Sequence, residues 1–174
     1  TRDFNLNLIK IRNKFNVIYR NTTTKENIEN LINFRKKCKK NGVEFYVSND
    51  TKLLTRLKAD GLYISAYNKN LLLNIYSKKG FKIIGSAHNQ REIDLKIKQG
   101  CEAIIYSRLF RTNYPYKKGH LGMQKFNIIS LRSRKELIPL GGINEKNLCK
   151  MKSVKSSSFA CLSAIKKKPA KIIN

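Results

Sequence analysis

Acidic residues are scarce in this chain: 11 Asp and Glu stand against 37 Lys and Arg, a formal net charge of +26 over 174 residues. Histidine is scarcer still, with His88 and His120 the only two. The four cysteines, Cys38, Cys101, Cys149 and Cys161, are widely spaced and form no C-x-x-C pair. That spacing argues against a metal cluster or a disulfide framework and for buried, reduced thiols, which fit a cytoplasmic protein. No apolar run approaches the roughly 20 residues that cross a bilayer, so no membrane partner is expected. Residues 1–20 mix charges, Asn and isolated apolar residues, without the apolar segment of a signal peptide. Disorder is excluded as well, because 41% of the residues are hydrophobic.

The surplus of positive charge suits a polyanionic or phosphorylated partner. It also suits a codon bias, since Lys, Asn and Ile are all heavily used. The basic residues are spread out. Only 35–40 and 166–168 form runs, and both read as the solvated ends of helices, where cations complement the helix dipole. The tyrosines and phenylalanines fall mostly inside apolar segments, not among exposed basic residues. A nucleic-acid surface is therefore not expected, and phosphorylated small molecules are the expected partners.

What the chain does have is alternation. Short apolar segments at 16–20, 43–48, 61–65, 81–86, 102–107, 137–141 and 158–163 read as strands. Their near-continuous apolar cores suit parallel strands covered by helices. Between them lie helical stretches. Residues 24–40 place Ile28, Leu31, Ile32 and Cys38 at helical spacing, with Thr23 and Glu26 as a capping box and Gly42 as a stop. Residues 90–99 are ambiguous, because Ile93, Leu95 and Ile97 alternate with period two. The cap signal of Asn89 with Glu92, and the stop at Gly100, favour a helix. Residues 3–14 read as another helix. Seven βα units predict a single α/β domain of the (β/α)₈ TIM-barrel type, with the first strand expected before Thr1. A flavodoxin-like open sheet is the structural alternative.

In such folds chemistry sits at the C-terminal ends of the strands. Those ends are polar here: Arg20, Ser48-Asn49-Asp50, Ser65-Ala66-Tyr67-Asn68, Ser86-Ala87-His88-Asn89, Ser107-Arg108, Gly141-Gly142 and Ser163-Ala164. Many of these residues are also good helix caps, and for Asn89 and Asn144 capping is the expected role. The last two ends, Leu140-Gly141-Gly142-Ile143-Asn144 and Ser163-Ala164-Ile165, would together form a phosphate cup from backbone N–H groups at a helix N-terminus.

The run IPLGGIN-x-x-N (138–147), followed by F-A-x-L-S-A-I (159–165), resembles the C-terminal signature of thiamine-phosphate synthases and the related thiazole tautomerases. ADGLYIS (59–65), IIGSAHN (83–89), YSRLFRTNYP (106–115) and YVSND (46–50) match the same superfamily in the same order. The resemblance implies a transferase that joins a hydroxymethyl-pyrimidine diphosphate to a thiazole phosphate and releases pyrophosphate, with Mg²⁺ as cofactor. It assigns Arg20, Ser86 and Thr112 to the catalytic end. It gives Asp50 to the metal, with Asn68 where the family has a second metal carboxylate. Gly141, Gly142, Ser163, Ala164, His88 and Asn49 fall to substrate and phosphate.

The departures are specific. Asn68 is neutral. Ile18 and Thr22 stand where the family has Gln and Lys, and Pro115 replaces a loop lysine. The tautomerases' catalytic histidine is Arg108 here. The resemblance therefore implies a synthase with an intact phosphate cup and an altered metal-diphosphate half. A tautomerase-like enzyme or a non-catalytic phosphate binder is the alternative.

Overall fold

The computed structural model describes residues 14–20, 27–112 and 119–161. Six of the seven apolar segments become strands: β1 (Asn16–Tyr19), β2 (Glu44–Ser48), β3 (Gly61–Ile64), β4 (Lys82–Ala87), β5 (Ala103–Ser107) and β6 (Glu136–Leu140). All neighbours pair in parallel, in the order β1-β2-β3-β4-β5-β6. Helices α1 (Ile28–Lys40), α2 (Thr51–Arg56), α3 (Asn74–Lys78), α4 (Gln90–Lys98) and α5 (Gly122–Arg132) occupy the crossovers. A 3₁₀ turn (Leu71–Leu73) precedes α3, and a 3₁₀ segment (Glu145–Ser153) follows β6. Of the seventh predicted strand, Ala160 makes a parallel bridge to Leu140; the remainder, and the predicted 3–14 helix, lie outside the described residues.

Successive side chains of each strand point to opposite faces. Tyr19, Phe45, Val47, Leu62, Ile64, Ile83, Ile104 and Leu137 form one core with Leu31, Cys38, Leu54, Ile93 and Phe126 from the helices. Tyr46, Tyr63, Ile84 and Ile105 form a second core on the other face. Ile18 from β1 and Ile138, Leu140 and Ala160 from the other edge pack into that same cluster. A sheet whose two edges share one interior cluster is curled. This is the TIM-type α/β architecture with part of its strand set, not the flat open sheet.

The Ala-Asp-Gly run before β3 is structural. Asp60 accepts from Phe45 N at 2.7 Å and from Arg35 Nη2 at 2.7 Å. Arg35 also donates to Lys58 O and is buried. The basic run 35–40 is thus not wholly solvated: Arg35 and Cys38 face inward, while Lys36, Lys37, Lys39 and Lys40 are exposed. Gly61 is glycine because a Cβ there would lie 2.3 Å from Lys82 O and 2.5 Å from the Tyr46 ring. The ring needs that space to reach the floor of the interior, where its hydroxyl donates to Glu44 at 2.8 Å and Lys82 pairs with Glu44. Burial alone would raise the Glu44 carboxyl. The hydrogen bonds from Lys82 and Tyr46 outweigh it and hold Glu44 below its ordinary range.

Two local readings change. α1 begins at Ile28, with Asn27 capping by accepting from Glu29 N at 2.9 Å; Thr23 and Glu26 lie outside the described residues. Of the cysteines, Cys38 and Cys101 are buried, while Cys149 is exposed. Burial pushes the Cys38 thiol up to about 11 and the Cys101 thiol up to about 12, so both stay protonated at neutral pH.

Two tests follow from these contacts. Asp60→Ala leaves the Arg35 charge and the Phe45 N–H without their acceptor, and should lower unfolding free energy by about 3 kcal/mol, read as a shift in urea midpoint. Glu44→Gln should cost stability at neutral pH. Because the folded carboxyl is held low, that difference should be complete above its ordinary value and shrink as the pH falls through the folded value; a gap that persists unchanged in acid contradicts the assignment.

Candidate functional site

The rim at the C-terminal ends of the strands begins with Arg20. Its guanidinium carbon sits 5.8 Å from the Tyr63 ring centre, a cation–π contact that anchors an exposed charge at the mouth of the interior. Beside it, Asn49 adopts φ 56°, a left-handed conformation that Asn tolerates better than most residues. Its side chain ties β2 to β3: Oδ1 accepts from Ser65 N at 3.0 Å, and Nδ2 donates to Ser65 Oγ at 3.0 Å. The same Oδ1 accepts from Asn68 Nδ2 at 3.2 Å. Asn49 is thus a fastener of the rim.

Asp50 is the N-cap of α2, accepting from Leu53 N at 2.9 Å. Asn68 uses its Oδ1 to accept from Asn70 N at 2.9 Å. Both residues predicted for metal are engaged in turn geometry. Among the described residues no three His, Cys, Asp or Glu side chains gather as a metal-binding group.

Ser86 is buried at the end of β4. Two residues on, His88 N donates to Glu92 Oε2 at 2.7 Å, and Asn89 accepts from Glu92 N at 2.9 Å, so the expected cap of α4 is present. This frees the His88 ring to face β5, where Nδ1 lies 2.8 Å from Ser107 Oγ. Arg108 donates to Thr112 Oγ1 at 2.9 Å, joining two predicted functional positions. Tyr67, His88, Ser107, Arg108, His120 and Lys125 line a cleft of about 460 Å³, with no carboxylate among the described residues of its wall. Strand-end position marks Tyr67, Ser107 and Arg108 in the sequence but gives them no partners. His120 and Lys125 lie before and within α5 and carry no strand-end signal.

The glycine pair has a packing job in addition to the ligand approach that its sequence suggests. Gly141 and Gly142 have φ 105° and 71°. A Cβ on Gly142 would lie 2.5 Å from Arg111 O and 2.7 Å from Phe110, so the missing side chain makes room for the loop after β5. Gly142 O accepts from Asn144 Nδ2 at 3.0 Å and from Asn147 Nδ2 at 2.8 Å, and Asn144 N donates back to Asn147 Oδ1 at 2.9 Å. Asn144 caps the following turn as expected. Ser163 and Ala164, the other half of the predicted cup, lie outside the described residues.

A curled parallel sheet with a polar cleft on its C-terminal rim defines a (β/α)-barrel protein. The family described as thiamine monophosphate synthase matches residues 4–165, and the chain belongs to it. It is similar to the thiamine-phosphate synthase of Prochlorococcus marinus subsp. pastoris, 28% identical over 142 residues, covering 81% of this chain and 40% of that one. It is also similar to the thiamine-phosphate synthase of Persephonella marina, 25% identical over 149 residues, covering 84% and 70%. The chain spans about two fifths of the length of the Prochlorococcus relatives. A solved thiamine phosphate pyrophosphorylase from Pyrococcus furiosus superposes with a TM-score of 0.69 at 16% identity, over 91% of this chain and 80% of that one. A 3-keto-L-gulonate-6-phosphate decarboxylase from Vibrio cholerae reaches 0.57 at 14% identity, over 85% and 77%. These two share the fold.

Gly142→Val combines a clash with backbone with a left-handed position that a β-branched residue resists. It should cost at least about 2 kcal/mol and lower the melting temperature. A melting temperature equal to wild type contradicts the packing role. A drop in ligand affinity in this variant would not by itself report on phosphate contact.

Proposed function

We propose that this chain is a thiamine-phosphate-synthase-type transferase that couples a hydroxymethyl-pyrimidine diphosphate to a thiazole phosphate. The observation that carries the reading is the gathering of Arg108, His88 paired with Ser107, His120 and Lys125 around one cleft, with no carboxylate among its described lining residues. In the reaction the C–O bond to the diphosphate breaks with both electrons leaving on the diphosphate. The thiazole nitrogen lone pair then forms the new C–N bond. Arg20 and Arg108 are the rim cations suited to hold the leaving charge, with Ser86 and Thr112 as hydrogen-bond donors beside it. The phosphate of the thiazole is assigned to the Gly141-Gly142 turn and the Ser163-Ala164 segment. Among the described residues none hydrogen-bonds the Gly142 N–H.

The described residues do not make a Mg²⁺ site on their own. Asp50 offers one carboxylate, already capping α2, and Asn68 offers an amide oxygen already accepting from Asn70. Mg²⁺ at this rim would be held mainly by diphosphate oxygens, with Asp50 as its charged protein ligand, and would neutralise the leaving group. Incubation with both substrates and Mg²⁺, followed by mass analysis, should give the coupled product in wild type and at least about tenfold less in Arg20→Ala. No product from folded wild type ends the synthase reading.

A second reading rests on the His88–Ser107 pair. A hydrogen-bonded His and Ser in the cleft can pass a proton between two positions of a bound thiazole phosphate, as a tautomerase would. Proton exchange into the thiazole phosphate without any diphosphate, lost in His88→Ala, would support it; no exchange would rule it out.

A further inference from the structure

Lys96 is the most unusual residue outside the cleft. It sits in α4 with no exposed surface. Its stem runs between the helix and β4, over Gly85: a Cβ at Gly85 would lie 2.9 Å from Lys96 Cγ and Cδ, and 2.9 Å from Cys101 Sγ. The glycine therefore opens the path that the lysine takes. At its end, Nζ donates to Asn68 O at 2.8 Å and to Gln99 Oε1 at 2.7 Å. Gln99 is also fully buried, and its Nε2 donates to Asn68 O at 3.0 Å and Asn70 O at 2.9 Å. Lys96 makes no ion pair among the described residues. Desolvation lowers its ammonium from the ordinary lysine value, against the charge of Glu92, which raises it.

A buried ammonium that meets only carbonyl and amide oxygens is costly unless it organises something. What it organises here is the turn after β3. Asn68 and Asn70 hand their carbonyls downward to Lys96 and Gln99. That leaves the Asn68 side chain to bond Asn49 above, and leaves Tyr67 81% exposed on the cleft wall.

We propose that Lys96, with Gln99, is a positioning residue that holds the Tyr67–Asn70 turn of the rim from beneath and so shapes the diphosphate side of the site. The diphosphate clause rests on the transferase reading above. The clamp stands without it. Neither side chain touches substrate.

The test uses Lys96→Met, which keeps the stem and removes the ammonium, and Gln99→Met, which leaves the lysine in place. Hydrogen exchange is measured on the folded proteins. Losing charge-assisted hydrogen bonds should speed the amides of 66–70 by at least about tenfold, while β4 and β5 stay within about twofold. Exchange at 66–70 equal to wild type in both variants, or a rise spread evenly over the sheet, overturns the proposal. Should Lys96→Met not fold, Gln99→Met alone decides. Steady-state kinetics supply the second readout. KM for the pyrimidine diphosphate should rise about tenfold, with KM for the thiazole phosphate changed less than about twofold; equal rises in both would show a merely structural residue. If wild type makes no coupled product, the transferase reading fails while the exchange result still decides the clamp.

Discussion

Each strand of this sheet has to satisfy two cores with a single alternating pattern, and the rest of the molecule follows from how that is met. In a curled parallel sheet the outward side chains meet helices and the inward ones must fill the interior. Tyr46 and Tyr63 fill much of that interior, and each brings a consequence. Tyr46 demands glycine at position 61 and a hydrogen-bonding partner at the floor, which Glu44 provides. Tyr63 offers its ring to Arg20 at the rim. One layer of side chains thereby connects the closed floor to the open mouth.

The polar strand ends are scaffold before they are chemistry. Asn49, Asp50, Asn89 and Asn144 each make hydrogen bonds that fix a turn or cap a helix. This does not remove them from a site. It explains why the site can be precise: the residues left facing the cleft, His88, Ser107 and Arg108, project from backbone that is already pinned. It also locates the chain's departures from its family. Asn68 is neutral where the resemblance implies a second metal carboxylate, and its amide and carbonyl are both drawn into the turn that Lys96 and Gln99 hold.

Much of the fold is legible in the sequence because parallel strands buried on both faces read as apolar runs, and six of the seven predicted runs are strands. α4 shows why the signal can mislead. Its period-two look arises because Lys96, a lysine, occupies the buried stripe one turn after Ile93, so the helical pattern is hidden by a charged letter in a core position. Arg35, itself buried, hides in a basic run for the same reason, since its partner Asp60 is 25 residues away. Gly142 is the reverse case. Its sequence context points to ligand approach and does not reveal the packing role, in which the space it opens is filled by Phe110 and Arg111. The His88–Ser107 pair depends on a spacing of 19 residues across two strands, which no local pattern reports.

The scarcity of acidic residues then acquires a structural meaning. Among the described residues, most of the carboxylates are committed to holding the chain together. Asp60 joins Arg35 to β2, Glu44 neutralises Lys82 at the floor, Glu92 and Asp50 cap helices, and Glu136 accepts from Ser157 and Ser158. The cleft wall, by contrast, carries Arg108, Lys125 and two histidines and, among the described residues, no carboxylate. With a net charge of +26 around it, such a cleft concentrates phosphorylated ligands electrostatically, and that attraction weakens as salt rises. A divalent cation gains little from that field unless it arrives already bound to a diphosphate. On the transferase reading, the same arithmetic of charge that would draw the substrate in would leave the metal to be carried by it.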